Sequence, residues 1–103
     1  MNFAEQLEAK SNLKVIEFAE KFLEEIKPQL IKSAEEGFNG FRVQIDLNKP
    51  ENKEKFHLYS NPIFVEHLNK HLDGVKVQYK KEFVENLLIK GYGWYKHYLV
   101  FNW

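Results

Sequence analysis

Residues Val15 to Ile31 read VIEFAEKFLEEIKPQLI. Val15, Phe18, Ala19, Phe22, Ile26 and Leu30 recur at helical spacing, and Ile16, Leu23 and Ile31 widen that stripe. Lys14, Glu17, Lys21, Glu24, Pro28 and Lys32 line the opposite side. The division predicts a long amphipathic helix that lays one face on a core. Upstream, Asn2 followed three residues later by Glu5 is a variant capping box, so the helix is expected to begin at once. Phe3 and Leu7 share a face, but Lys10 and Lys14 continue it, and Ser11-Asn12 offers a break or a fresh cap. A helix from Asn2 to Glu36 would be roughly 50 Å long, whereas a compact domain of this size has a radius of gyration near about 13 Å. Such a rod must break near Ser11, bend at Pro28, or project residues 1–12 as a helical arm. The apolar stripe keeps register across Pro28, which lies on the polar side, so a bend there is expected and not a stop. Gly37 is placed to end the helix, and Asn39-Gly40 signals a turn.

Downstream the period changes from helical to two. Phe41, Val43, Ile45 and Leu47 alternate with Arg42, Gln44, Asp46 and Asn48, the pattern of a half-buried strand. After a polar loop around Lys49-Pro50, Phe56 to Tyr59 alternates briefly, which predicts a short second strand. Asn61-Pro62 sets an N-cap before a proline at the first helical position. A helix should follow to about Leu72, burying Ile63, Phe64, Leu68 and Leu72, with Asp73-Gly74 as its end. Val75, Val77, Tyr79 and Phe83 then alternate with Lys76, Gln78, Lys80 and Glu82, Lys81 being the one break. After Gly91-Tyr92-Gly93, the run from Trp94 to Trp103 puts Tyr95, Leu99, Phe101 and Trp103 on one face and Trp94, Tyr98 and Val100 on the other. A closing antiparallel hairpin is predicted, its last strand apolar on both faces and so interior to the sheet or covered twice. The expected fold is α+β in the order α-β-(β)-α-β-β: a long N-terminal helix and a second helix on a three- to four-stranded, mainly antiparallel sheet. At 103 residues, one domain is expected.

Composition narrows the function classes. Hydrophobic residues make up 44% and charged residues 29%, ordinary globular values, while aromatics reach 16%. There is no cysteine, which removes disulfides and thiolate metal sites. No basic and apolar leader opens the chain and no apolar run approaches the roughly 20 residues of a membrane span, so a cytoplasmic protein without a membrane partner is expected. Fifteen basic and fifteen acidic residues cancel overall. They are unevenly placed: the chain up to Glu36 is acidic on balance and the rest is basic, which permits an electrostatic face.

The sequence offers residues for three kinds of chemistry. His67 and His71 stand four apart on the second predicted helix, a spacing that lets two imidazoles meet one metal ion, but Leu68 occupies the place where a zinc protease needs Glu. Two solvent-edge histidines are the plainer reading, and no cofactor is expected. Tyr92, Trp94 and Tyr98 interleave with Lys96, and Lys76 and Lys80 lie across the hairpin, a combination of stacking rings and cations that suits a single-stranded nucleic acid or a protein partner. The alternative is that these aromatics complete a core or form cross-strand pairs. The glutamates belong to the solvated side of the long helix, and Ser11, Ser33 and Ser60 sit in no nucleophile motif, so an enzyme is not expected.

An acidic, Lys-rich opening helix, a small α+β body and an aromatic last strand stopping at Asn102-Trp103 resemble small phage-encoded counter-defence proteins of low-GC Gram-positive bacteria, anti-CRISPR inhibitors among them. The resemblance lies in organisation and composition, with no diagnostic motif. It implies a non-enzymatic phage or mobile-element protein, monomeric or homodimeric, that binds a host protein or nucleoprotein complex and inhibits or redirects it. Direct nucleic-acid binding through the hairpin is the alternative, and a metal-dependent enzyme around His67 and His71 a third.

Overall fold

The first helix, α1 (Phe3–Glu35), is a single element of 33 residues in the computed structural model, which describes residues 2–103. Asn2 caps it: its side-chain oxygen accepts from Glu5 N–H at 2.8 Å, and its amide donates to the Glu5 carboxylate at 3.2 Å. The helix neither breaks at Ser11 nor stops at Pro28, whose ring lies on the exposed side where the missing N–H leaves the core untouched. Its supported length starts at Val15. Val15, Ala19, Leu23, Ile26 and Leu30 are buried, whereas residues 2–11, with Phe3 and Leu7 among them, are exposed along an arm. Gly37, at φ 94°, ends the helix in the left-handed conformation that glycine adopts without penalty.

The sheet follows from β1 (Gly40–Ile45), β2 (Lys76–Glu85) and β3 (Gly93–Asn102), ordered β1-β3-β2 with both pairings antiparallel. The strand that is apolar on both faces is therefore the central one, as its composition requires. In register, Phe41, Phe101 and Val77 form one rung, and Val43, Leu99 and Tyr79 the next. These odd-numbered residues face the helices, with Phe22 stacked on Phe101 at 6.5 Å between centroids.

Between β1 and β2 lie two helices, α2 (Pro50–Tyr59) and α3 (Pro62–His71). The short second strand expected at Phe56–Tyr59 is thus a helical turn. Pro50 at the first helical position starts α2, and Leu58, the residue it buries, is reached as well by a short helix as by a strand. Asn61 caps α3 as its sequence predicts, accepting from Ile63 N–H at 2.9 Å, and Phe64, Leu68 and Leu72 join the core.

Two polar side chains fasten this layer to the sheet. Asn69 donates to Val77 C=O at 2.9 Å and accepts from Val77 N–H at 2.7 Å, taking the place of a neighbouring strand at the β2 edge. Buried Ser33 donates to Gly40 C=O at 3.0 Å, joining the end of α1 to the start of β1. The molecule measures 53 × 39 × 21 Å with a radius of gyration of 16.1 Å, larger than the roughly 13 Å of a compact domain of this length. The excess comes from two projections, the α1 arm and the far end of the β2–β3 hairpin. No helix among the described residues is long and apolar enough to cross a membrane.

Candidate functional site

Alternation along the strands sorts the predicted binding residues. Lys76, Lys80, Lys96, Trp94 and Tyr98 all have even numbers on β2 and β3, and in antiparallel register even residues share one face, opposite the core. Arg42 and Gln44 of β1 fall on the same face, across from Val100 and Tyr98. The helices lie on the other side, so this face is a bare three-stranded surface. Arg42 sets its guanidinium 4.4 Å from the centroid of the Tyr98 ring, which is buried beneath it by flanking side chains. Trp94 stays 53% exposed. Two carboxylates meet the cations Arg42, Lys76, Lys80 and Lys96 there: Glu82, opposite Lys96, and Asp46, just past the end of β1, which lines a groove with Gln44, Trp94 and Lys96. Tyr92 stands apart, exposed in the turn before β3.

The second feature was not anticipated. β1 ends at Ile45, opposite His97, while β2 and β3 continue together as far as Glu85 and Gly93. The hairpin therefore leaves the body as a two-stranded ribbon, and its loop carries Leu87, Leu88 and Ile89, with Leu87 fully exposed and Leu88 93% exposed. Asn86 builds that loop by accepting from Leu88 N–H at 2.8 Å and donating its own N–H to Tyr92 C=O. Phe83 and Tyr95, paired at 5.2 Å on the ribbon, are half exposed as well. Gly93 is required at the ribbon's end, since a Cβ there would run into Val84 C=O. Three consecutive aliphatics in a hairpin loop, where polar turn residues belong, are a signal the sequence did carry.

His67 and His71 do come together, their rings 4.2 Å apart, but among the described residues no group of three His, Asp or Glu is placed to hold a metal ion. Burial lowers the His67 pKa, His71 and Lys70 lower it further, and Glu20, 3.7 Å from Nε2, opposes them. His97 is lowered too, by burial and by Lys81, and its Nδ1 meets the Tyr79 hydroxyl. The ring nitrogen and the phenol share a hydrogen bond, a structural contact between β3 and β2. Ser33 and Ser60 spend their hydroxyls on main-chain carbonyls. A groove of about 490 Å³ between the end of α1 and β1 is lined by Lys32, Ser33, Glu36, Phe38 and Arg42, and the Ser33 hydroxyl in it already donates to Gly40 C=O.

No protein-family model matches the chain, no curated protein matches it, and no solved structure matches it.

Proposed function

We propose that this protein is a non-enzymatic binding factor that docks on a host protein or nucleoprotein complex and inhibits or redirects it. The observation that carries this reading is the apolar loop, Leu87-Leu88-Ile89, held away from the body on a two-stranded ribbon. Burying a Leu or Ile side chain is worth roughly 1.5–3 kcal/mol. A loop that forgoes this in the free chain is suited to recover it in a partner's cleft, with Tyr92 and Tyr95 as the aromatic anchors that interfaces favour. The resemblance to phage counter-defence proteins supplies the kind of partner: a CRISPR or other defence effector.

The test is capture by tagged protein from a nuclease-treated lysate of a low-GC Gram-positive host, followed by reconstitution of any complex from purified components. A one-to-one complex that survives nuclease, and that the Leu87→Asp/Leu88→Asp/Ile89→Asp variant fails to form while melting like the parent, supports the reading. Equal binding by that variant, or no stoichiometric partner, defeats it.

A further inference from the structure

We infer that the bare face of the sheet is a second binding surface, for single-stranded nucleic acid, distinct from the apolar loop. The charge is one-sided. Arg42, Lys76, Lys80 and Lys96 stand on that face against Glu82 and, past the end of β1, Asp46, although the chain as a whole is neutral. A local excess of about two positive charges on a flat surface attracts a polyanion whatever the net charge of the molecule.

The same surface supplies planar groups. The half-exposed indole of Trp94 lies at its ribbon end. Four residues along β3, a distance of about 13 Å, Tyr98 supports the Arg42 guanidinium from below, so that the guanidinium plane is itself available to an approaching base. Lys80 lies directly across from Tyr98 and Lys96 two residues before it, which interleaves cations with the two stacking positions. Stacking on flat groups within a cationic field is how sheets hold unpaired bases without reading their sequence.

A duplex fits less well. Among the described residues no helix stands on this face to enter a groove, and the ribbon that projects beside it ends in Leu87, Leu88 and Ile89, which offer base edges no hydrogen-bonding side chain.

Fluorescence anisotropy with a labelled 20-nucleotide oligo(dT) strand tests the inference across a salt series. Saturable binding is expected, with log K falling against log salt at a slope near about −2, as three neutralised phosphates give for single strands. Lys76→Ala/Lys80→Ala should weaken binding about tenfold or more at low salt and flatten the slope by roughly 1.4. Trp94→Ala should cost about tenfold while leaving the slope unchanged, the signature of lost stacking. The Leu87→Asp/Leu88→Asp/Ile89→Asp variant provides the contrast. It should leave the salt slope intact, because added loop carboxylates lie off the face, so the inference can fail while the protein-docking reading stands, and the reverse. Absence of saturable binding, equal affinity for the corresponding duplex, or equal affinity for polyglutamate would overturn it; the last would make the face a contact for an acidic protein.

Discussion

The two halves of β3 belong to one strand and meet opposite fates. From His97 to Asn102 it runs between β1 and β2, and Leu99 and Phe101 are completely buried. From Gly93 to Lys96 it has β2 alone beside it, and Trp94 and Tyr95 are each 53% exposed. Both halves are aromatic and apolar, so composition does not separate them. Position does: the inner half has helices on one face and strands on both edges, and the outer half has neither. Apolar residues placed beyond the reach of their own core are the ones left for something else to cover.

Truncation should break the strand's apparent uniformity most severely. Phe101→Ala removes a ring packed on Phe22 at the centre of the core and is expected to cost about 3–5 kcal/mol. At roughly 4–8 °C per kcal/mol for a chain of this size, the melting temperature should fall by more than about 12 °C. Tyr95→Ala, on the same strand and the same face, should stay within about 1 kcal/mol. Calorimetry of both variants decides it, and comparable losses would mean that the ribbon is packed in solution.

The next effect concerns the edge of β2, where the body gives way to the ribbon. Asn69 satisfies both main-chain groups of Val77, a buried residue, so Asn69→Ala strands a donor and an acceptor at once. A loss of about 1–3 kcal/mol is expected in denaturant titrations. Asn69→Asp should fall between the two, since it keeps the acceptor for Val77 N–H and loses the donor. If Asn69→Ala melts like the parent, the edge is held by strand pairing alone.

How much of this was legible beforehand follows from where each signal resides. Period and punctuation are local, so α1, β1, the Asn61-Pro62 cap and the alternation of β2 and β3 could be read directly. The even-numbered set of Lys76, Lys80, Lys96, Trp94 and Tyr98 was readable as a face for the same reason. The helix at Pro50–Tyr59 was misread because four residues, Phe56 to Tyr59, fit a strand pattern that the proline at its start should have outweighed. Three further features depend on lengths that only pairing decides. Where β1 ends relative to β3 creates the ribbon, and although Leu87-Leu88-Ile89 is a legible oddity for a turn, it does not say how far the body lies from it. Asn69 and Ser33 reach groups eight and seven residues away across element boundaries, beyond any periodic pattern.

The smallest effect should come from pH, and it bears on the junction itself. His97 lies opposite Ile45 at the last rung where all three strands are present, its ring beside Phe56 and its Nδ1 on the Tyr79 hydroxyl. Burial and then Lys81 hold its pKa below the ordinary 6.5, and His67 is held below 6.5 by burial, His71 and Lys70 against the weaker pull of Glu20. In both cases the folded chain binds fewer protons than the unfolded chain between the lowered and the ordinary value. Stability then rises with pH through that window. The contribution is complete above about pH 6.5 and is lost progressively as pH falls below it, levelling off once the folded-state imidazoles are charged as well. Denaturant titrations from pH 8 to pH 5 should show this decline, with His67→Gln and His97→Gln each flattening part of it. Only His97→Gln should also change amide exchange at residues 93–97, because it removes the ring that meets the Tyr79 hydroxyl and packs beside Phe56 where the ribbon leaves the body. Exchange there that ignores both pH and the substitution would place the junction's rigidity in the β2–β3 ladder and not in the imidazole.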